Sequence, residues 1–208
     1  MNYLNREENP ILFWFGKIGD FCILSVIWIL LCLPIITFVP ASIALFDSVA
    51  HCIQGTEDGP VRRFFSTLKA ELFRGILISL IYLIIGFGLL YGYNILFQLG
   101  KENPTMVTFS YIYLLSIPIP LRILAWLIPV ESRFQHSLLG LFRAAAVYTI
   151  SHLPTTVMLL IILILAVLLT LLAPVLALVM PAIAVTVQCW FVERVFKKYI
   201  PQEEDTDE

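Results

Sequence analysis

Charge is what this chain has least of. Only 28 of its 208 residues, 13%, are Asp, Glu, Lys or Arg, about half the roughly 25% usual in soluble proteins. Three stretches carry none: 21–46, 75–100 and 144–192, of 26, 26 and 49 residues. One crossing of the hydrocarbon core takes about 20 residues, so a water-soluble globule is excluded. Segments of about ten residues that alternate polar and apolar are missing too, which argues against a membrane β-barrel. Cys22, Cys32, Cys52 and Cys189 show no CxxC or paired spacing, and read as small, reduced core residues. No basic stripe runs through the chain, so nucleic acid is not an expected partner. GxSxG, HExxH, phosphate-cradling and dinucleotide-binding motifs are all lacking, so neither an enzyme nor a cofactor is expected. MNYLNREENP holds two Glu and no small-residue cleavage site, unlike a cleaved signal peptide.

What is there is apolar and helical in pattern: 60% of the residues are hydrophobic. Asn9-Pro10 can cap and open a helix, and the aromatic lead-in Phe13-Trp14-Phe15 suits the headgroup level. A first membrane segment runs from about Ile18 to Leu33. Pro34, Thr37 and Pro40 then break the helix, since each proline removes a donor and disfavours helix at the residue before it. The restart is expected at Ala41, running to about Ile53. Past the polar turn Gly55–Pro60, Phe64, Phe65, Leu68 and Leu72 stand at helical spacing among Arg62, Arg63, Lys69 and Arg74. That pattern predicts an amphipathic interfacial helix feeding a span from Gly75 to Leu99. A third span, Thr105–Pro129, is kinked by Pro118 and Pro120 and interrupted by Arg122, and a second amphipathic stretch covers Glu131–Arg143. The 49 uncharged residues after it are long enough to cross twice, turning at Pro174 and Pro181.

The expected fold is thus all-α: a polytopic helical membrane protein of five to six segments, with Pro-broken helices and two interfacial amphipathic helices. Residues 1–200 form one helical membrane domain and 201–208 an acidic disordered tail. Placing both termini and the 54–74 and 130–146 connections in the cytoplasm puts 11 of the 13 Lys and Arg inside, as the positive-inside rule favours. That arrangement needs 18–53 to go out and come back. One kinked span there leaves five segments and an outside N-terminus.

Several short patterns then fall in a familiar order. They are Asn9-Pro10, Trp28-Ile-Leu-Leu-Cys-Leu-Pro34-Ile-Ile-Thr37, Ala41-Ser-Ile-Ala-Leu45, Arg63-Phe64-Phe65, Leu127-Ile-Pro129-Val-Glu-Ser-Arg133-Phe134 and Ser151-His152-Leu153. Together they resemble the YesL-type family of bacterial membrane proteins, over nearly the whole chain. Val39 stands where that pattern has Gly, and Glu71 where it has Asn. The resemblance implies a multi-pass protein of the bacterial cytoplasmic membrane, often encoded beside carbohydrate uptake systems. A weaker internal echo relates Pro34…Pro40-Ala41 to Pro174…Pro181-Ala182, and Arg63-Phe64…Leu72-Phe73-Arg74 to Arg133-Phe134…Leu141-Phe142-Arg143.

Asp47 and Arg122 are the charges deepest in apolar sequence, and intramembrane charges are costly enough to suggest a role and a partner. Their similar depth makes them an expected pair, unless Arg122 snorkels. Asp47 and His51 share a helix face; with His136 or His152 they form a proton or metal site only in a minor reading, and no metal is expected. Asn94 and Gln98, one turn apart, line a polar cavity or bond to neighbouring helices. Gly88 and Gly92 suit close helix packing. Two functions fit these features: an accessory or regulatory component of a carbohydrate transport system, with the lipid bilayer and a transporter subunit as partners, or a small transporter or channel in its own right. In both, the C-terminus is cytoplasmic.

Overall fold

A computed structural model describes residues 10–54, 59–101, 104–133 and 137–196, and every regular element among them is helical. The helices are α1 (Pro10–Cys32), α2 (Phe38–Gln54), α3 (Pro60–Gly100), α4 (Pro104–Leu114), α5 (Pro118–Arg133), α6 (Leu138–Ser151), α7 (Leu153–Leu172) and α8 (Met180–Phe196). Four stretches, 35–52, 60–100, 105–133 and 153–172, are long and apolar enough to cross a membrane. The acidic tail, His136 and most of the 55–60 turn fall outside the described residues.

The break after Cys32 is a reversal. A 3-10 turn, Ile35–Thr37, joins α1 to α2, and the Thr37 hydroxyl donates to the carbonyls of Pro34, at 2.8 Å, and Leu31. The Leu31 carbonyl is one that the end of α1 leaves unpaired. Trp28 Nε1 donates to Ser42 Oγ at 3.2 Å, although one continuous helix would hold residues 14 apart at about 21 Å. Helix α2 begins at Phe38 rather than Ala41 because proline is tolerated in a first turn, where Pro40 sits.

Helix α2 is the centre of the molecule. Every residue from Val39 to Ala50 is buried. Ile43, Leu45, Phe46 and Val49 share one core with Leu24 of α1, Phe64, Leu68 and Ile78 of α3, Trp126 and Val130 of α5, and Val192 of α8. The expected interfacial helix at 61–74 is the first half of α3, continuous with the span, and Phe64 and Leu68 face this protein core. Helix α2 lies antiparallel along that half: Asp47 meets Arg63, and Val39 N–H donates to Ser79 Oγ at 3.3 Å. The other half of α3 pairs with α4, where a Cβ on Gly92 would sit 2.5 Å from the Tyr113 hydroxyl.

The third segment divides as the prolines dictate. Helix α4 ends at Leu114 and three tight i→i+3 bonds carry the chain through 115–117. Pro118, which needs no donor, then opens α5. The second amphipathic stretch is not one helix: α5 runs on to Arg133, and α6 starts at Leu138 behind Ser137, whose side chain accepts from Gly140 N–H. A further break at His152, before Leu153-Pro154, separates α6 from α7. Trp126 ties this side together, stacking on Tyr148 with centroids 5.4 Å apart and donating to Thr156 Oγ1 at 2.8 Å.

One of the two internal echoes has a structural counterpart. Pro174–Leu178 is a second 3-10 turn, and the helix after it, α8, has 17 residues like α2. In both, an N–H of the first turn is bound by a serine of another helix, Val39 by Ser79 and Ala182 by Ser25. The other echo has none, because 63–74 is unbroken helix whereas 133–143 spans a break.

Candidate functional site

The polar groups gather where α2 and α5 end, α3 begins and α8 ends. Asp47, 4% exposed, is about two turns from the close of α2. The opening of α3 lies beside it. Arg63 Nε donates to Asp47 Oδ2 at 2.7 Å, Arg63 Nη2 reaches Oδ1 at 3.4 Å, and Thr67 Oγ1 donates to Oδ2 at 2.6 Å. Arg63 and Thr67 are four apart and so share the face of α3 turned to α2. His51 Nδ1 lies 3.2 Å from Asp47 Oδ1 and 2.9 Å from the Asp47 carbonyl. Both are acceptors, so Nδ1 carries the hydrogen.

The expected Asp47–Arg122 pair is therefore replaced by Asp47–Arg63. A hairpin partner sixteen residues away is delivered by the chain itself, whereas Arg122 lies on the side of α5 that meets α6. The Arg122 carbonyl accepts a long bond, 3.5 Å, from Thr149, and the Arg122 Nε is buried with no hydrogen-bond partner among the described residues. Asn94 and Gln98 bond to each other at 3.3 Å on an exposed face of α3, away from Asp47. His152 lies against Trp126 and Tyr148. Among the described residues, no three His, Cys, Asp or Glu converge as a metal site would require.

Two further ion pairs were not legible as pairs in the sequence. Arg74 Nη1 on α3 is 2.7 Å from Glu131 Oε1 on α5, and the Glu131 side chain is 1% exposed. Arg133 Nη2 on α5 donates to Glu193 Oε1 on α8 at 2.7 Å, with both side chains about 30% exposed. The three pairs stitch α2 to α3, α3 to α5 and α5 to α8. The outer pair contributes little, as exposed ion pairs do. The two with buried carboxylates matter more, because losing one partner strands a charge out of water.

Residues 21–93 match the family model described as "Protein of unknown function, DUF624". The matched region runs from α1 into the second half of α3. It contains Asp47, His51, Arg63 and Thr67, while Arg122, Glu131 and Glu193 lie beyond it. No curated protein and no solved structure matches the chain.

What this site can do chemically follows from its occupants. The Asp47 carboxylate is fully engaged by donors, which fixes α2 against α3. The long apolar faces elsewhere, such as Ile84, Phe87, Leu90 and Tyr91 of α3 and Leu171 of α7, are 63–75% exposed. Surfaces of that size are compatible with a membrane protein.

Proposed function

We propose that this chain is a YesL-type multi-pass protein of a bacterial cytoplasmic membrane, serving as an accessory or regulatory component of a carbohydrate transport system. In this reading α1, α2, α3 beyond Gly75, α4 with α5 up to Pro129, α7 and α8 are the six membrane segments. The reversal at Leu33–Thr37 supports the out-and-back course of 18–53, and the bias of Lys and Arg supports a cytoplasmic N- and C-terminus. The ion-paired end of the bundle is then the cytoplasmic one.

One observation carries the accessory reading over the transporter: α2, the central helix, is buried from Val39 to Ala50, its Asp47 engaged by Arg63, Thr67 and His51 and its apolar residues packed into the core. A solute path along the broken helix needs polar surface and room beside it. Here Ile43, Phe46 and Val49 fill that space together with Trp126 and Ile78. The expected test is twofold. Purified from native membranes in mild detergent, the chain should retain subunits of an uptake system, and in liposomes alone it should move no sugar. Sugar flux by the isolated chain, or purification that never retains a transporter subunit, contradicts the proposal.

A further inference from the structure

We propose that Glu71 of α3 and Glu131 of α5 form a buried one-proton site, an acid–carboxylate pair that joins the two helices while a single proton is shared between them. This site is independent of the function proposed above.

Glu71 stands three residues before Arg74 and so shares the face of α3 from which Arg74 reaches Glu131 at 2.7 Å, and the two carboxyls face each other there. Glu71 Oε2 and both oxygens of Glu131 are buried and find no hydrogen-bond donor among the described residues. Arg74 supplies charge at 2.7 Å from Glu131 Oε1, but not donor geometry that satisfies those oxygens. Two carboxylates are acceptors only, so ionised they face each other with nothing between them. A proton on either one becomes the missing donor and cancels the surplus charge left by two acids against one guanidinium. A metal cation fits worse, because it would sit beside the Arg74 guanidinium.

Arg122 lies nine residues, about two and a half turns, back along α5 on the side that meets α6, and the other charged groups near α5 face elsewhere. Arg133 turns to Glu193 of α8, Asp47 of α2 is held by Arg63, Arg143 of α6 is exposed, and α7 carries no charge. Glu71 precedes the span that starts at Gly75, and Glu131 follows the one that ends at Pro129. Burial foremost, opposed by Arg74 and reinforced by Glu71, holds the Glu131 carboxyl up at about 7. A carboxyl raised in the folded state stabilises below its unfolded value, 4.5, and that stability is lost as pH rises through about 7.

The test is equilibrium unfolding of the full chain in detergent between pH 5 and 8. The wild type should unfold more readily as pH rises, by up to about tenfold in the unfolding constant per pH unit for one linked proton. Glu71→Gln keeps a permanent donor facing Glu131 and should flatten that dependence while raising stability at pH 8. A wild-type profile that is flat, or as steep in Glu71→Gln, overturns the proposal. Infrared difference spectra provide the spectroscopic readout, and need only the folded wild type if the variant fails to fold. They should show one protonated carboxyl lost between pH 6 and 8, and no such band is the contrary result.

Discussion

Asp47 shows how far a single residue can be read. Its depth in an uncharged stretch marks it as a group needing a partner, and the structure supplies three. Which cation arrives depends on the register of α2 against α3, which the close approach of Pro40 to Gly75 helps to set. No property of Asp47 or Arg63 alone encodes that register. Arg63→Ala should cost about 2 kcal/mol in chemical unfolding, below the 3–5 of a fully buried pair because Arg63 is itself 38% exposed. Asp47→Asn should cost less, and the double variant less than the two separately. Asp47 and Arg122 changes, by contrast, should be additive. Glu131 was less visible still, since a carboxylate at a helix end looks solvated until α3 and α5 are packed together.

At the scale of elements, the prolines carried most of the legible information. Pro34, Pro118, Pro174 and Pro181 each stand at or beside an observed break, because a missing N–H cannot be supplied by folding elsewhere. The break at His152 and the continuity of α3 from Pro60 were harder to see. An apolar face every three to four residues is the same signal whether lipid or protein covers it. Between helices in lipid, apolar burial gives little net drive, so close approach and hydrogen bonds decide the pairing. Two glycines of α3 separate these effects. A Cβ on Gly75 would meet Pro40 Cβ at 2.5 Å and its Cα at 2.8 Å, while one on Gly88 meets nothing within 4 Å. Gly75→Ala should therefore destabilise by about 1–3 kcal/mol. Gly88→Ala should be neutral or stabilising by up to about 1 kcal/mol through helix propensity. Thermal unfolding of the two variants side by side checks both.

At the scale of the whole molecule, the fold turns on a reversal that hydropathy alone left open. Residues 18–53 are long enough for one kinked span and barely long enough for two short helices. The hydrogen bond from Trp28 to Ser42 and the burial of α2 on all sides show two helices folded back on each other. In the proposed topology the N-terminus then lies on the same side as the start of α3, and the bias of Lys and Arg favours the cytoplasm for that side. The most direct measurement is labelling with a membrane-impermeant thiol reagent. The four native cysteines are first replaced and single cysteines introduced by Glu7→Cys or Glu204→Cys. Both sites should react only after the membrane is opened. Labelling at position 7 in intact cells, with position 204 still protected, would contradict the folded-back α1–α2 pair and leave five spans.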